Sequence, residues 1–174
     1  PKLNLTEKSK LSPINIYAKN CIKSEKKFEK LLKNKLLILR LSNVIGYEIG
    51  KKKKASLMSI IIKGLTKNII YFDNNYNLKK DFLPINFLCK YIEALVQKDI
   101  NGVFNVGSGI PIRVDEFIKI IIDIKKVNII IKYKKNFKDK DFCFKLNKLK
   151  KITGIKIDKK KLTKYFSELK RKIN

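Results

Sequence analysis

Few side chains in this sequence stand where their type and spacing suggest chemistry. Tyr17 and Cys21 are four residues apart in a segment opened by Ser12-Pro13, whose stripe runs Tyr17, Cys21, Ser24, Phe28, Leu31 and Leu32 with a helical period. A phenol and a thiol so spaced share one helix face, where they can handle a proton or simply belong to an apolar stripe. Asn43 precedes a turn at Gly46 and can bind a ligand or satisfy backbone groups of its own loop. Lys80 offers a point charge to a phosphate, or is one more solvated cation; Asp81 beside it can order the loop. Gly107-Ser108-Gly109 can bring backbone N–H groups towards phosphates, but it follows a strand without opening a helix, which makes it structural. Cys21, Cys89 and Cys143 are too scattered, and odd in number, for a disulfide framework or a metal knuckle, so no metal is expected.

The elements that must carry these residues alternate between strand and helix. Leu36 to Leu39 is a short apolar run of the kind covered on both faces, and Gly46 marks the turn that follows it. Residues 55 to 63 read as a helix, Asn68 to Phe72 as a strand, and Phe82-Leu83 as a short strand. Pro84 introduces a helix with apolar positions Ile85, Leu88, Ile92 and Leu95 or Val96. Gly102 to Val106 is a compact strand. Ile112 to Val114 is extended, Asp115 is the expected N-cap, and Phe117 to Ile124 is a helix. Asn128 to Tyr133 reads as a strand, and Leu146 to Ile152 and Lys160 to Lys170 as helices separated by Gly154. The block Lys51 to Lys54 reads as a solvated loop. This alternation predicts an α/β fold with parallel pairing.

The chain of 174 residues is one domain by length, or a piece of a larger one, and 44% hydrophobic content excludes disorder and coiled coil. No apolar run approaches the ~18 residues of a membrane helix, and PKLNLTEKSK lacks a secretory apolar stretch. A reducing, cytoplasmic setting is expected. The net charge is +27, yet 39 of the 42 basic residues are lysine, with only Arg40, Arg113 and Arg171 as arginine. Lys, Ile, Asn, Tyr and Phe have codons rich in A and T, so the charge reads as base bias of a genome. Specific nucleic-acid readers lean on arginine, which leaves adhesion to polyanions at low salt rather than specific recognition.

Five collinear segments resemble the NAD(P)-dependent epimerase/dehydratase family, the nucleotide-sugar-modifying extended branch of the short-chain dehydrogenase/reductases, over its C-terminal portion. Ser12 to Asn20, running on to Ser24-Glu25, resembles the active-site helix, and Leu39 to Gly46 its following strand and loop. Lys80 to Ile85, Gly102 to Gly109 and Asn147 to Gly154 are similar to three later family segments. The resemblance implies the C-terminal part of a Rossmann-like doubly wound parallel sheet plus a small α/β substrate-binding domain. Residues 1–46 would belong to the NAD(P)-binding domain and 47–174 mainly to the substrate-binding domain, with 81–106 returning towards the Rossmann sheet.

The same resemblance implies Tyr17 as catalytic acid/base, Tyr17, Ser42 and Val44 at the cofactor, and Asn43 and Lys80 at a nucleotide-diphosphate sugar. It implies NAD or NADP as cofactor and a homodimer through the Tyr17 helix. Two departures stand out. No glycine-rich dinucleotide turn is present, since all seven glycines come at Gly46 or later. The family's lysine, four residues after its tyrosine, is replaced by Cys21, while Lys19 and Lys23 point roughly 160° and 120° away from Tyr17. The expected function is therefore the C-terminal part of an epimerase, dehydratase or reductase. An inactive remnant or a nucleotide-sugar-binding fragment is the second reading, and a basic nucleic-acid-binding protein the third.

Overall fold

The computed structural model describes residues 2–33, 35–47, 57–72, 74–122, 127–131 and 140–173. The lysine block at 51–54, and the ends of the elements expected at 55–63, 117–124 and 128–133, lie outside them. In order the chain forms β1 (Lys2–Leu5), α1 (Ile16–Leu32), β2 (Leu37–Leu41), β3 (Asn43–Ile45), α2 (Leu57–Leu65), β4 (Ile69–Phe72) and β5 (Lys79–Pro84). Then follow α3 (Ile85–Gln97), β6 (Gly102–Val106), β7 (Pro111–Arg113), α4 (Val114–Ile121), β8 (Asn128–Ile131), β9 (Phe142–Phe144), α5 (Asn147–Thr153) and α6 (Lys159–Ile173). β1 pairs with β9, β2 with β6, β3 with β5 and β4 with β8, all parallel; β7 joins β5 antiparallel. The parallel α/β reading holds.

Local chemistry explains the departures from the expected boundaries. α1 starts after Asn15, whose Oδ1 accepts the Ala18 N–H at 2.8 Å, so the cap lies three residues beyond Ser12. α4 is capped by Arg113 backbone in extended conformation, and Asp115 sits inside the first turn. There its carboxylate accepts from Arg113 Nε at 2.8 Å and Nη2 at 2.9 Å, and this pairing holds it below the usual carboxylate range. α5 ends at Gly154 with φ 69°, the left-handed cap that a residue without Cβ adopts freely.

The core gathers under β5. Phe82, Phe117 and Phe166, from β5, α4 and α6, are fully buried, with ring centroids 4.4 Å apart for the first pair and 4.9 Å for the second. Leu83, Ile118, Ile121, Leu162 and Leu169 pack into the same cluster. Two stripes depart from the expected pattern. α3 buries Leu88, Tyr91 and Leu95, whereas Ile85, Ile92 and Val96 are exposed. α1 buries nothing: Tyr17, Cys21, Phe28 and Leu31 all face outward. β2 is likewise not covered on both faces, for Leu37 to Arg40 are half-buried and Leu41 is exposed.

Candidate functional site

β3 continues β2 after Ser42, and its register against β5 sets Asn43 opposite Phe82. That register brings together three residues singled out in the sequence. Asn43 Nδ2 donates to the Asp81 carbonyl at 3.1 Å, and Ser42, Asn43 and Lys80 line one cleft of about 1010 Å³. The N-terminal turn of α1 forms the facing wall, with Asn15, Ala18 and Lys19, and Lys10 and Lys140 stand at its margin. Ser42 donates its N–H to Val106 at 2.9 Å, and its Oγ is buried with no hydrogen-bond partner among the described residues.

Lys80 is not a solvated surface charge. It is 9% exposed, and its Nζ donates to the Lys140 carbonyl at 2.8 Å. One residue earlier, Lys79 N–H donates to Asp141 Oδ1 at 2.9 Å, so the segment before β9 is fastened along the start of β5. A cation held in a cleft wall with little access to water is poised for an anion, because its charge is poorly screened there.

Asp81 points the opposite way from Lys80 and is fully buried. Its Oδ1 accepts from Ser108 N–H and Oγ–H, both at 2.7 Å, and its Oδ2 accepts from Gly109 N–H at 3.1 Å and Phe144 N–H at 3.3 Å. The expected local ordering role is thus a long-range pin joining β5, the 107–109 turn and β9. Gly107 is required by proximity: a Cβ there would lie 2.5 Å from Asp81 Oδ2. Only Gly109 of the pair has the positive φ, at 70°. Because the Ser108 and Gly109 N–H groups are spent on Asp81, the turn has none of them left for a phosphate, and its structural reading holds.

The buried surroundings of Asp81 also set an alkaline limit. Burial, and then the nearby Asp81 charge, push both the Cys143 thiol and the Tyr91 hydroxyl up to about 12. Unfolded, they titrate near 8.5 and 10. The folded chain therefore keeps protons that the unfolded chain releases, so stability is intact below pH ~8.5 and falls as pH rises towards 12. Urea titrations across this range should show that decline. Cys143→Ala should flatten its lower part; an unchanged pH profile would contradict the assignment.

Tyr17 and Cys21 lie elsewhere. They line a second groove of about 810 Å³ between α1 and β2, while Ala18, next to Tyr17, faces both hollows. The Cys21 side chain one turn along the helix raises the Tyr17 pKa above the ordinary tyrosine value. Val44 lines neither hollow. α1 is fastened by Arg40, which forks onto the Glu25 carboxylate through Nε and Nη2 and donates Nη1 to the Glu7 carbonyl at 3.0 Å. Glu7 Oε1 in turn accepts the Asn105 N–H at 3.0 Å. The pairings made by Glu7, Glu25 and Lys140 were not visible in the sequence, since nothing local marks a partner that far along the chain.

Comparison of the whole chain with solved structures gives matches over nearly its full length. An NAD-dependent NDP-hexosamine 5,6-dehydratase involved in tunicamycin biosynthesis superposes with a TM-score of 0.80 at 21% identity, covering 98% of this chain and 58% of that one. A UDP-N-acetylglucosamine 4-epimerase from Methanobrevibacter ruminantium M1 gives 0.76 at 20% identity, with 98% and 57% covered. A UDP-glucose 4-epimerase from Bifidobacterium longum, solved with NAD+ and UDP, gives 0.76 at 20% identity, with 98% and 59% covered. The chain has the fold of these epimerases and dehydratases. It spans a little over half of the length of each. No protein-family model and no curated protein matches it. Among the described residues, no helix is long and apolar enough to cross a membrane.

Proposed function

We propose that the cleft between β3, β5 and the start of α1 binds a nucleotide-diphosphate sugar, as the substrate-binding part of an NAD(P)-dependent epimerase, dehydratase or reductase. The observation that carries this is Lys80, a cation 9% exposed in the wall of a cleft that also holds Ser42 and Asn43. Its ammonium would meet the diphosphate as a point charge, and Asn43 would hydrogen-bond the sugar or base end. In this reading residues 1–46 belong to the cofactor-side sheet and 47–174 mainly to the substrate side. The pairing of β2 with β6 supports a return of 81–106 to that sheet.

The residues of this chain do not by themselves fit a dinucleotide. The sequence has no glycine-rich phosphate turn, and in the Gly107-Ser108-Gly109 turn the Ser108 and Gly109 N–H groups are taken by Asp81. No hydride step is therefore derived. The second reading, a binding part without catalysis of its own, is favoured by the Tyr17–Cys21 pair, in which the tyrosine is made a weaker acid rather than a stronger one.

Calorimetric titration with a UDP-sugar tests the proposal. Lys80→Ala should weaken binding by about 1–3 kcal/mol, the range for leaving a buried polar group without its hydrogen-bond partner. An unchanged dissociation constant in a folded variant would sink the cleft reading.

A further inference from the structure

One residue of the cleft has the wrong sign for a phosphate. Asp141 is the single acid among the described residues that line it, beside Lys80 and Lys140. It follows directly on Lys140, whose carbonyl accepts from the Lys80 ammonium at 2.8 Å. Asp141 is half-buried, and its Oδ1 accepts the Lys79 N–H at 2.9 Å. Among the described residues its Oδ2 makes no hydrogen bond or ion pair. Fastening this segment to β5 does not require a charge, since the amide oxygen of an asparagine accepts a backbone N–H equally well. A carboxylate beside an anion site repels a phosphate oxyanion and, having no proton, offers it no hydrogen bond. Its remaining lone pairs suit O–H donors, and hydrogen bonds to an ionised acceptor are among the strong ones. The bond from Lys79 already holds the group in one orientation, so little freedom is lost when a ligand meets it.

We infer that Asp141 is a specificity-determining residue of the cleft, whose carboxylate accepts hydrogen bonds from ligand hydroxyls adjacent to the phosphate held by Lys80. The inference rests on the cleft reading above and adds a second pole to it. Lys80 selects an anion, and Asp141 rejects one that carries no O–H donors next to its phosphorus. The ligand is thereby narrowed to a phosphate ester of a polyol. The hydroxyls that meet Asp141 belong either to the sugar or to the ribose of the nucleotide, and their chemistry towards a carboxylate is the same.

The test is calorimetric titration of the full chain and of Asp141→Asn, free of divalent cations, with UDP-glucose, UDP, glucose 1-phosphate and inorganic pyrophosphate. Asparagine keeps an acceptor for the Lys79 N–H and removes the charge. The variant should bind UDP-glucose at least about tenfold more weakly. Pyrophosphate, which has no carbon-bound hydroxyl, should bind it as tightly as the parent or more so, and that retained binding also shows the cleft to be folded. A loss repeated with UDP but not with glucose 1-phosphate assigns the ribose hydroxyls; the reverse assigns those of the sugar. An equal loss for UDP-glucose and pyrophosphate would make Asp141 a fastening of its segment only and overturn the inference, as would no loss at all. So would a loss that appears only with added Mg²⁺, because the carboxylate would then be holding a cation on the diphosphate. Lys80→Ala keeps the two readings apart. If it weakens pyrophosphate binding while Asp141→Asn changes nothing, the cleft reading stands and this inference falls. If it leaves pyrophosphate and UDP-glucose binding unchanged, the cleft reading falls and takes this inference with it.

Discussion

Replacing Asp81 by alanine should cost about 3–5 kcal/mol of stability, because it leaves buried donors without an acceptor. Ser108 N–H, Gly109 N–H and Phe144 N–H all converge on this one carboxylate. An orphaned buried N–H costs roughly 1–3 kcal/mol, and a domain is stable by only about 5–15 kcal/mol. Asp81→Asn should recover little, since its NH2 group would face donors on one side. Urea denaturation of both variants measures this. A loss under ~1 kcal/mol for Asp81→Ala would mean that water or a shifted backbone satisfies the turn, and that the pin is not what holds β9 to β5.

The second large effect is expected at Cys21. Cys21→Lys should bring the Tyr17 pKa below its ordinary value near 10, because an ammonium one turn away favours tyrosinate where the thiol now opposes it. NMR titration of ring-labelled tyrosine in the full chain reads this directly and requires no activity. Where Tyr17 acts as base in a complete active site, the gain in turnover should lie within the ~10²–10⁴-fold range of general base catalysis. A pKa that stays above 10 in the folded variant would show that the lysine does not reach the phenol. A lowered pKa with unchanged turnover would remove Tyr17 from the chemistry.

The strongly patterned elements were legible in the sequence. Gly102–Val106, Leu37–Leu41 and the helix after Pro84 form where local propensity and punctuation by glycine or proline agree. β1 and β9 were not legible. β1 contains Asn4 at φ 66°, and its register against β9 shifts between Lys2 and Leu5, so no two-residue alternation survives to be read. α3 was found with Leu88 and Leu95 inward as expected, but Tyr91 is buried in place of Ile85 and Ile92. These two are as apolar as the residues it buries, and periodicity alone does not fix the edges of the stripe that meets the core.

Ser42, Asn43 and Lys80 were singled out through the family resemblance, and the fold lines one cleft with all three. What sequence concealed was the environment of each. Lys80 is one of 39 lysines and nothing in its neighbours marks it as buried; a carbonyl sixty residues away does that. Tyr17 was legible as a helix residue, but whether it faces the cleft or the far groove depends on where the Arg40–Glu25 pair fastens α1.

The pin at Asp81 also sets a timetable. During synthesis from the N-terminus, β5 emerges with its lysine and aspartate long before their partners, because Ser108 lies 27 residues later and Phe144 lies 63 later. At ~5–20 residues per second the growing chain spends seconds with a buried-type carboxylate and a buried-type cation both facing water. Closing so long a loop is an entropic cost that only the full set of contacts offsets. The cleft wall is therefore completed only when residues 140–144 arrive and Lys80 and Asp81 are sealed together. A nascent chain halted before that point should hold its Phe82 side of the core loosely and bind no anion at Lys80, so ligand affinity would report the closing of that wall.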